Sequence, residues 1–288
     1  MQRLIVLLGC LIAPIALAQQ DAAPSPLERA RLHDWTLSFE ARAWYAAPAG
    51  DLTLPGGSVG GDEIDLDLLN MDSPKLTPSG ELRFQRGRVR IGLSGSAFSA
   101  DRASTVATTQ TLGAVAVWAG ERAQLDFSHW SFETQALYEV FSYVDGSTSD
   151  GRDAVRVRGL LGGGVRVSAL DLNFRVTPTD PGRTGSETLA VGYDGTFAEL
   201  MIAGAFEIDL DENWFISVEG SGGWFGLDDR TSSSFSIQPT LAWHPNPHVG
   251  VEVGYRMLIH RMEDGSAPSQ FEWSGSLAGL FGGLSVRF

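Results

Sequence analysis

The chain has 288 residues, with 21 Lys and Arg against 35 Asp and Glu, a formal net charge of −14. That balance argues against a nucleic-acid binder, which needs a basic face for phosphates. Lys75 is the one lysine and Cys10 the one cysteine, so a disulfide framework and a Cys-based zinc site are excluded. Thirty-four glycines, 10% aromatics and a mean hydropathy of −0.02 fit neither a helical membrane protein nor a disordered chain.

Arg3 gives the start of the chain a positive charge, and residues 4–13 form an apolar run too short to span a bilayer as a helix. Ala16-Leu17-Ala18 is a small-x-small cleavage site before the polar Gln19-Gln20. Residues 1–18 therefore read as a signal peptide. Leu7-Leu8-Gly9-Cys10 also resembles a lipobox, but the apolar run ahead of Cys10 is short. Cleavage after Ala18 removes Arg3 and Cys10. Residues 19–34, with Pro24 and Pro26, read as a polar periplasmic tail.

From Trp35 the pattern has period two. In Trp35-Thr-Leu37-Ser-Phe39-Glu-Ala41-Arg-Ala43 apolar and polar residues alternate, and the pattern returns from Arg88 to Ser94, Phe235 to Trp243 and Val249 to Met257. Such alternation specifies strands with one apolar and one polar face. The expected strands are 35–46, 76–85, 88–98, 124–141, 155–168, 197–209, 214–226, 234–243, 249–260 and 271–288. Tight connections fall at Arg86-Gly87, Asp211-Glu212-Asn213 and His244-Pro245-Asn246-Pro247-His248, all turn-forming chemistry. Polar stretches at 47–75, 99–123, 176–196 and 227–233 read as long loops. Short turns alternating with long loops suit a transmembrane barrel, and 142–154 is the exception, long on the short-turn side.

Aromatic placement supports lipid contact. Trp35, Phe84, Tyr138, Trp214, Trp243 and Phe288 fall near the short turns on the outward face. Tyr45, Trp130, Trp224 and Trp273 fall near the long loops. Two aromatic girdles around a band of Val, Ile, Leu and Ala match two lipid–water interfaces. The last strand, Gly283-Leu-Ser-Val286-Arg-Phe288, resembles the C-terminal assembly signal of bacterial outer-membrane β-barrels. With residues 35–48, Gly80-Glu-Leu-Arg-Phe84, Gly254-Tyr255-Arg256-Met-Leu and the closing Gly282-Gly283, it makes residues 35–288 resemble the uncharacterised porin-like and OmpA-like outer-membrane β-barrel families of Gram-negative bacteria. The resemblance implies an all-β, closed antiparallel transmembrane barrel of about ten strands, with eight or twelve as alternatives. It also implies outer-membrane lipids, lipopolysaccharide and the barrel-assembly machinery as partners.

Parity places Arg42, Arg83, Arg88, Arg90, Arg156, Arg158, Arg166 and Arg256 inside, with Glu40, Glu133, Glu139, Glu207, Asp209, Glu219 and Glu252. Cations and acids nearly balance, although the whole chain is strongly acidic. In a barrel of this size side chains fill the interior, so these charges are expected to pair rather than line a wide channel. Two parity faults imply bulges. Leu125 and Phe127 share a face with His129 and Glu133, and Phe271 and Trp273 are out of phase with Val286 and Phe288. Bulges near 128 and between 274 and 281 are expected.

Candidate chemistry is sparse. His129, Ser131 and Glu133 share one face of one strand at about 7 Å per step. A working triad normally draws on several elements, so lumen filling is the expected role. His260, beside Arg261 and Glu263, is the candidate for a site at the rim. His244 and His248 are explained by the proline-containing turn. Asp62, Glu63, Asp65 and Asp67 offer oxygen ligands for a divalent cation, but they alternate with Ile64, Leu66 and Leu68 and lack the spacing of an EF-hand loop. A strand extension or an inward-folded plug is the other reading. Gly162-Gly163-Gly164 lacks the following helix of a phosphate cradle and reads as close packing in a strand. The expectation is a non-enzymatic outer-membrane barrel, structural or narrowly permeable, without a cofactor. The alternatives are an enzyme acting on lipopolysaccharide or protein from the lumen or rim, and a soluble lipocalin-like carrier.

Overall fold

The structure, a computed structural model, describes residues 35–56, 63–112, 115–147, 153–178, 189–210, 213–266 and 269–288. The expected signal peptide, the tail and Asp62 lie outside these residues. The strands in chain order are β1 (Trp35–Thr53), β2 (Ile64–Asp65), β3 (Lys75–Arg86), β4 (Val89–Thr105), β5 (Gln110–Leu112), β6 (Val115–Val117), β7 (Arg122–Ser147), β8 (Asp153–Thr177), β9 (Leu189–Leu210), β10 (Trp214–Leu227), β11 (Arg230–Asn246), β12 (Val249–Asp264) and β13 (Phe271–Arg287). Ten of them form an antiparallel ring, each long strand beside its neighbour and β13 closing onto β1. β2 adds to β1 within the first outer loop, and β5 and β6 make a small separate hairpin.

Both ends of the barrel chain lie at one rim. There the Phe288 amide donates to the Leu37 carbonyl at 2.8 Å, and the Leu37 amide to the Phe288 carbonyl at 3.3 Å. The turns at 87–88 and 247–248 share that rim, as do the end of β9 at Leu210 and the start of β10 at Trp214. At the opposite, outer rim, residues 228 and 229 alone separate β10 from β11, with Asp228 in the left-handed region at φ 54°. The long loop expected at 227–233 is therefore a two-residue hairpin turn, tolerated because Asp adopts that conformation more readily than most residues.

Other expected loops are partly strand. β1 runs on to Thr53, β4 to Thr105, β8 to Thr177 and β9 begins at Leu189. The long connection at 142–154 is largely the continuation of β7 to Ser147 and of β8 from Asp153. The three glycines on β8 accept close neighbours: a Cβ built at Gly162 would stand 1.9 Å from the Ala136 carbonyl oxygen, and one at Gly164 2.0 Å from that of Thr134.

The two expected bulges are absent. β7 pairs continuously with β4 and β8 through residue 128, and β13 pairs with β12 and β1 without a shift. Register shifts occur instead between Glu139 and Phe141, and between Trp243 and Asn246. The parity faults have another cause: the environment on each side of the wall changes along the strand. In the half nearer the chain termini, outward residues are apolar, such as Ile91, Phe132, Leu161, Ile202, Val251 and Leu284, while inward ones are charged. In the outer half the outward residues turn polar, for example Asp126, Asp171, Asn173 and Asp194. The inward ones there are Phe98, Leu125, Phe127, Leu172, Phe174, Phe197, Phe271 and Trp273, all buried. Trp273 is thus a core residue rather than part of a girdle.

Candidate functional site

The lumen of the inner half is filled by a lattice of ion pairs that crosses the barrel. Arg42 on β1 bonds Glu252 on β12 at 2.6 Å and Glu81 on β3 at 3.1 Å, and also meets Glu40. Arg83 on β3 reaches Glu40 at 2.9 Å, Glu81 at 2.5 Å and Glu219 on β10 at 3.0 Å. Arg90 on β4 bonds Glu207 on β9 and lies 3.3 Å from Glu219. Arg158 bridges Glu207 at 3.0 Å and Asp209 at 3.2 Å, and Arg156 sits 3.5 Å from Glu139. Arg166, wholly buried, donates to Glu133 at 3.0 Å, Ser221 at 2.8 Å and Ser234. Arg256 donates to Glu133 at 3.2 Å and lies over the Trp44 ring.

Several of these pairs join strands that are not neighbours in the wall, β3 with β10 and β12 with β7 among them. The planar guanidinium suits this, because its five donors can serve two or three carboxylates at once. A polar cavity of about 30 Å³ lies beside Arg42, Glu81, Glu133, Glu219 and Gln238, room for a few waters. Fourteen of the fifteen lumen charges expected from parity are in this lattice. Arg88 is the exception: it is exposed in the turn beyond β3, where its carbonyl accepts from the Glu139 amide. Parity should also have yielded Glu81, in phase with Arg83, and Glu199, in phase with Glu207.

Above the lattice the inward face becomes apolar. The acidic run of the first loop folds into this region. Ile64, Leu66, Leu69 and Met71 are buried with Trp44 and Leu52, while Glu63, Asp65 and Asp67 stay exposed. A short 3-10 turn (Leu66–Leu69) makes this possible, capped by the Asp65 carboxylate accepting from the Asp67 amide at 3.0 Å. Among the described residues no cluster of three His, Cys, Asp or Glu is arranged to hold a metal ion. The run is the inward-folded plug. Val106, Val115 and Val117 of the second outer loop complete the seal. Tyr193 stacks on Phe271 with ring centres 3.6 Å apart and donates to Asp264 at 2.7 Å. Burial, with that carboxylate beside it, pushes the Tyr193 hydroxyl's pKa up.

At the junction of the two regions lies a buried polar cluster. Ser131 pairs with Ser96 at 3.1 Å, and Glu133 is taken by two arginines, so the expected His129-Ser131-Glu133 face does not converge. His260 is not at the rim. It is 1% exposed, while Arg261 and Glu263 point outward and pair at 2.7 Å. Glu199 on β9, Ser232 on β11 and His260 on β12 do meet, but Glu199 (3.0 Å) and Ser232 (3.5 Å) face the same Nε2, and Nδ1 has no partner. A triad needs the acid and the nucleophile on opposite ring nitrogens. Cross-strand register, which sequence parity does not supply, brings these three together. His244 is inside the inner rim, 3.2 Å from Ser285, and His248 stays in the exposed turn.

No protein-family model matches the chain, and no curated protein matches it significantly. Solved structures do. The outer membrane protease OmpT from Escherichia coli aligns over 88% of this chain and 97% of its own, with a TM-score of 0.50 and 8% identity. Neisserial surface protein A covers the same shares with a TM-score of 0.31 and 12% identity. The P. putida toluene transporter TodX aligns over 88% of this chain and 90% of its own, with a TM-score of 0.29 and 9% identity. The chain has the outer-membrane β-barrel fold.

In that fold the apolar outer surface of the inner half is the lipid-facing band. Tyr138, Trp214, Trp243 and Phe288 stand outward and exposed near the inner rim, and Tyr45, Trp130 and Trp224 near its other edge. Trp35 opens β1 opposite Arg86. Amphipathic rings at both edges fit two headgroup layers. The strands of the outer half rise beyond the Trp130 level.

Proposed function

We propose that the protein is an occluded outer-membrane barrel without enzymatic activity, a structural scaffold that presents its outer half at the cell surface. The observation that carries this reading is the lattice that spans the lumen, with Arg42, Arg83, Arg90, Arg166 and Arg256 each tied to acids on other strands. Unpaired charge in so closed a space is costly, so pairing and closure support each other. The apolar seal above adds a second barrier. The Ser232, His260 and Glu199 cluster is sealed between the two layers, in the wrong order for acyl transfer. The lipid partners are outer-membrane lipids and lipopolysaccharide around the aromatic edges. Phe288, exposed at the end of the last strand, serves as the recognition signal for the assembly machinery.

Planar-bilayer recording of the refolded full chain at neutral pH tests the reading. Steady conductance at the background of the bare bilayer is expected. A large ohmic current of porin size would overturn occlusion. Deleting Phe288 is expected to lower the inserted fraction without affecting export, and wild-type surface levels would contradict its role as signal.

A further inference from the structure

We propose that His129 is an acid-sensitive catch for the sealed outer half: proton uptake on its imidazole loosens the apolar seal while the charged lattice below stays closed. The inference rests on the occluded reading above. His129 sits on β7 where the inward face changes from Ser131 and Glu133 to Phe127 and Leu125. It is 1% exposed, and neither ring nitrogen has a hydrogen-bond partner. Its ring stands 5.7 Å from that of His260 and 5.6 Å from that of Trp273. Trp273 in turn packs edge-on against Phe127 at 5.5 Å. His129, together with the His260 ring 6.1 Å from Trp273, is therefore where the polar junction touches the apolar seal.

The groups around it leave a proton nowhere to be shared. The charged groups facing His129 are Arg166 on β8, Arg256 and His260 on β12, and Glu199 on β9. Glu133 is on its own strand. β13 contributes the Trp273 ring, and β4 and β8 place Phe98 and Leu170 opposite it in register. Both acids are already engaged: Glu133 by Arg166 and Arg256, Glu199 by His260, Ser232 and Ser234. The two histidines thus differ. His260 has a carboxylate 3.0 Å away to receive its charge, and His129 has none.

Imidazole is the side chain that ordinarily titrates near pH 6.5. A charged imidazole in a dry site without an acceptor is unfavourable, so proton uptake at His129 comes with water entry and separation of the rings around it. The closed form binds fewer protons than the loosened form, and acid therefore favours loosening. The seal is held above about pH 6.5 and is released progressively below it.

Hydrogen–deuterium exchange of the full chain in lipid nanodiscs, corrected for the intrinsic pH dependence of exchange, tests this at pH 7.5 and pH 5.0. Peptides covering 64–71 and 122–128 are expected to open roughly tenfold more often at pH 5.0, with peptides covering 214–220 and 249–256 unchanged. His129→Phe and His129→Gln are each expected to abolish that rise, and His244→Gln, at the inner rim, to retain it. If His129→Phe does not fold, His129→Gln carries the test. Equal protection of the outer half at both pH values overturns the proposal, as does a rise that survives in the His129 variants. Failure of the occluded reading is read separately, as steady current at pH 7.5.

Discussion

The inner and outer halves of this barrel use the same strands and the same alternation with opposite chemistry. On β7, Trp130 and Phe132 face lipid with Ser131 and Glu133 behind them. A few residues further out on the same strand, Asp126 faces water with Leu125 and Phe127 behind it. Nothing in the backbone marks the change, since pairing with β4 and β8 runs through it unbroken. The outer medium decides. Where the wall meets hydrocarbon, apolar side chains cover it and polar ones are left to fill the lumen. Where the wall meets water, the hydrophobic effect draws the apolar side chains inward and the barrel packs like a soluble one. The two fillings therefore depend on different physics. The lattice holds by charge balance, and the seal by apolar burial.

The largest expected effect comes from unbalancing the lattice. Arg166→Met leaves Glu133 with one cation instead of two and strips two serines of their donor. It is expected to cost about 3–5 kcal/mol, read as a lower urea midpoint of unfolding from lipid vesicles. A loss under about 1 kcal/mol would mean that water, not the guanidinium, satisfies those groups.

A second test compares one substitution in the two media on one strand. Ile202 and Ala190 both face outward on β9 and are exposed. Ile202→Arg puts a charge into hydrocarbon and is expected to cost about 2–4 kcal/mol. Ala190→Arg, in water, is expected to stay within about 0.5 kcal/mol. Equal costs would remove the boundary between the halves.

Removing a surface ion pair of the outer half is the smallest change. Arg175 lies 3.3 Å from Asp126, with both side chains partly exposed. Arg175→Ala is expected to cost less than about 1 kcal/mol and to lose even that effect in high salt.

Much of the inner half was legible in the sequence. Period two gave the strands, and parity gave fourteen lattice charges, because lipid outside forces a consistent polarity on each face. The outer half was not legible on the same rule. Leu125, Phe127, Phe271 and Trp273 looked like phase errors because the polarity of the two faces reverses while the geometry continues. The strand extensions at 47–53, 99–105 and 189–196 were hidden for the same reason, as polar outward residues read as loop. The meeting of Glu199, Ser232 and His260 required the register of strands far apart in sequence, and no local signal encodes it.

The reversal of faces is tested most directly by mapping lipid contact along one strand. Cys10 is the only native cysteine and lies in the expected leader, so single cysteines can be placed at outward positions 190, 192, 194, 200, 202, 204 and 206 of β9. Each is labelled with an environment-sensitive dye and quenched with brominated lipid in vesicles. Strong quenching is expected at 200–206 and none at 190–194. Quenching along the whole strand, or its absence at 200–206, would contradict a barrel whose outer half stands in water around an apolar core.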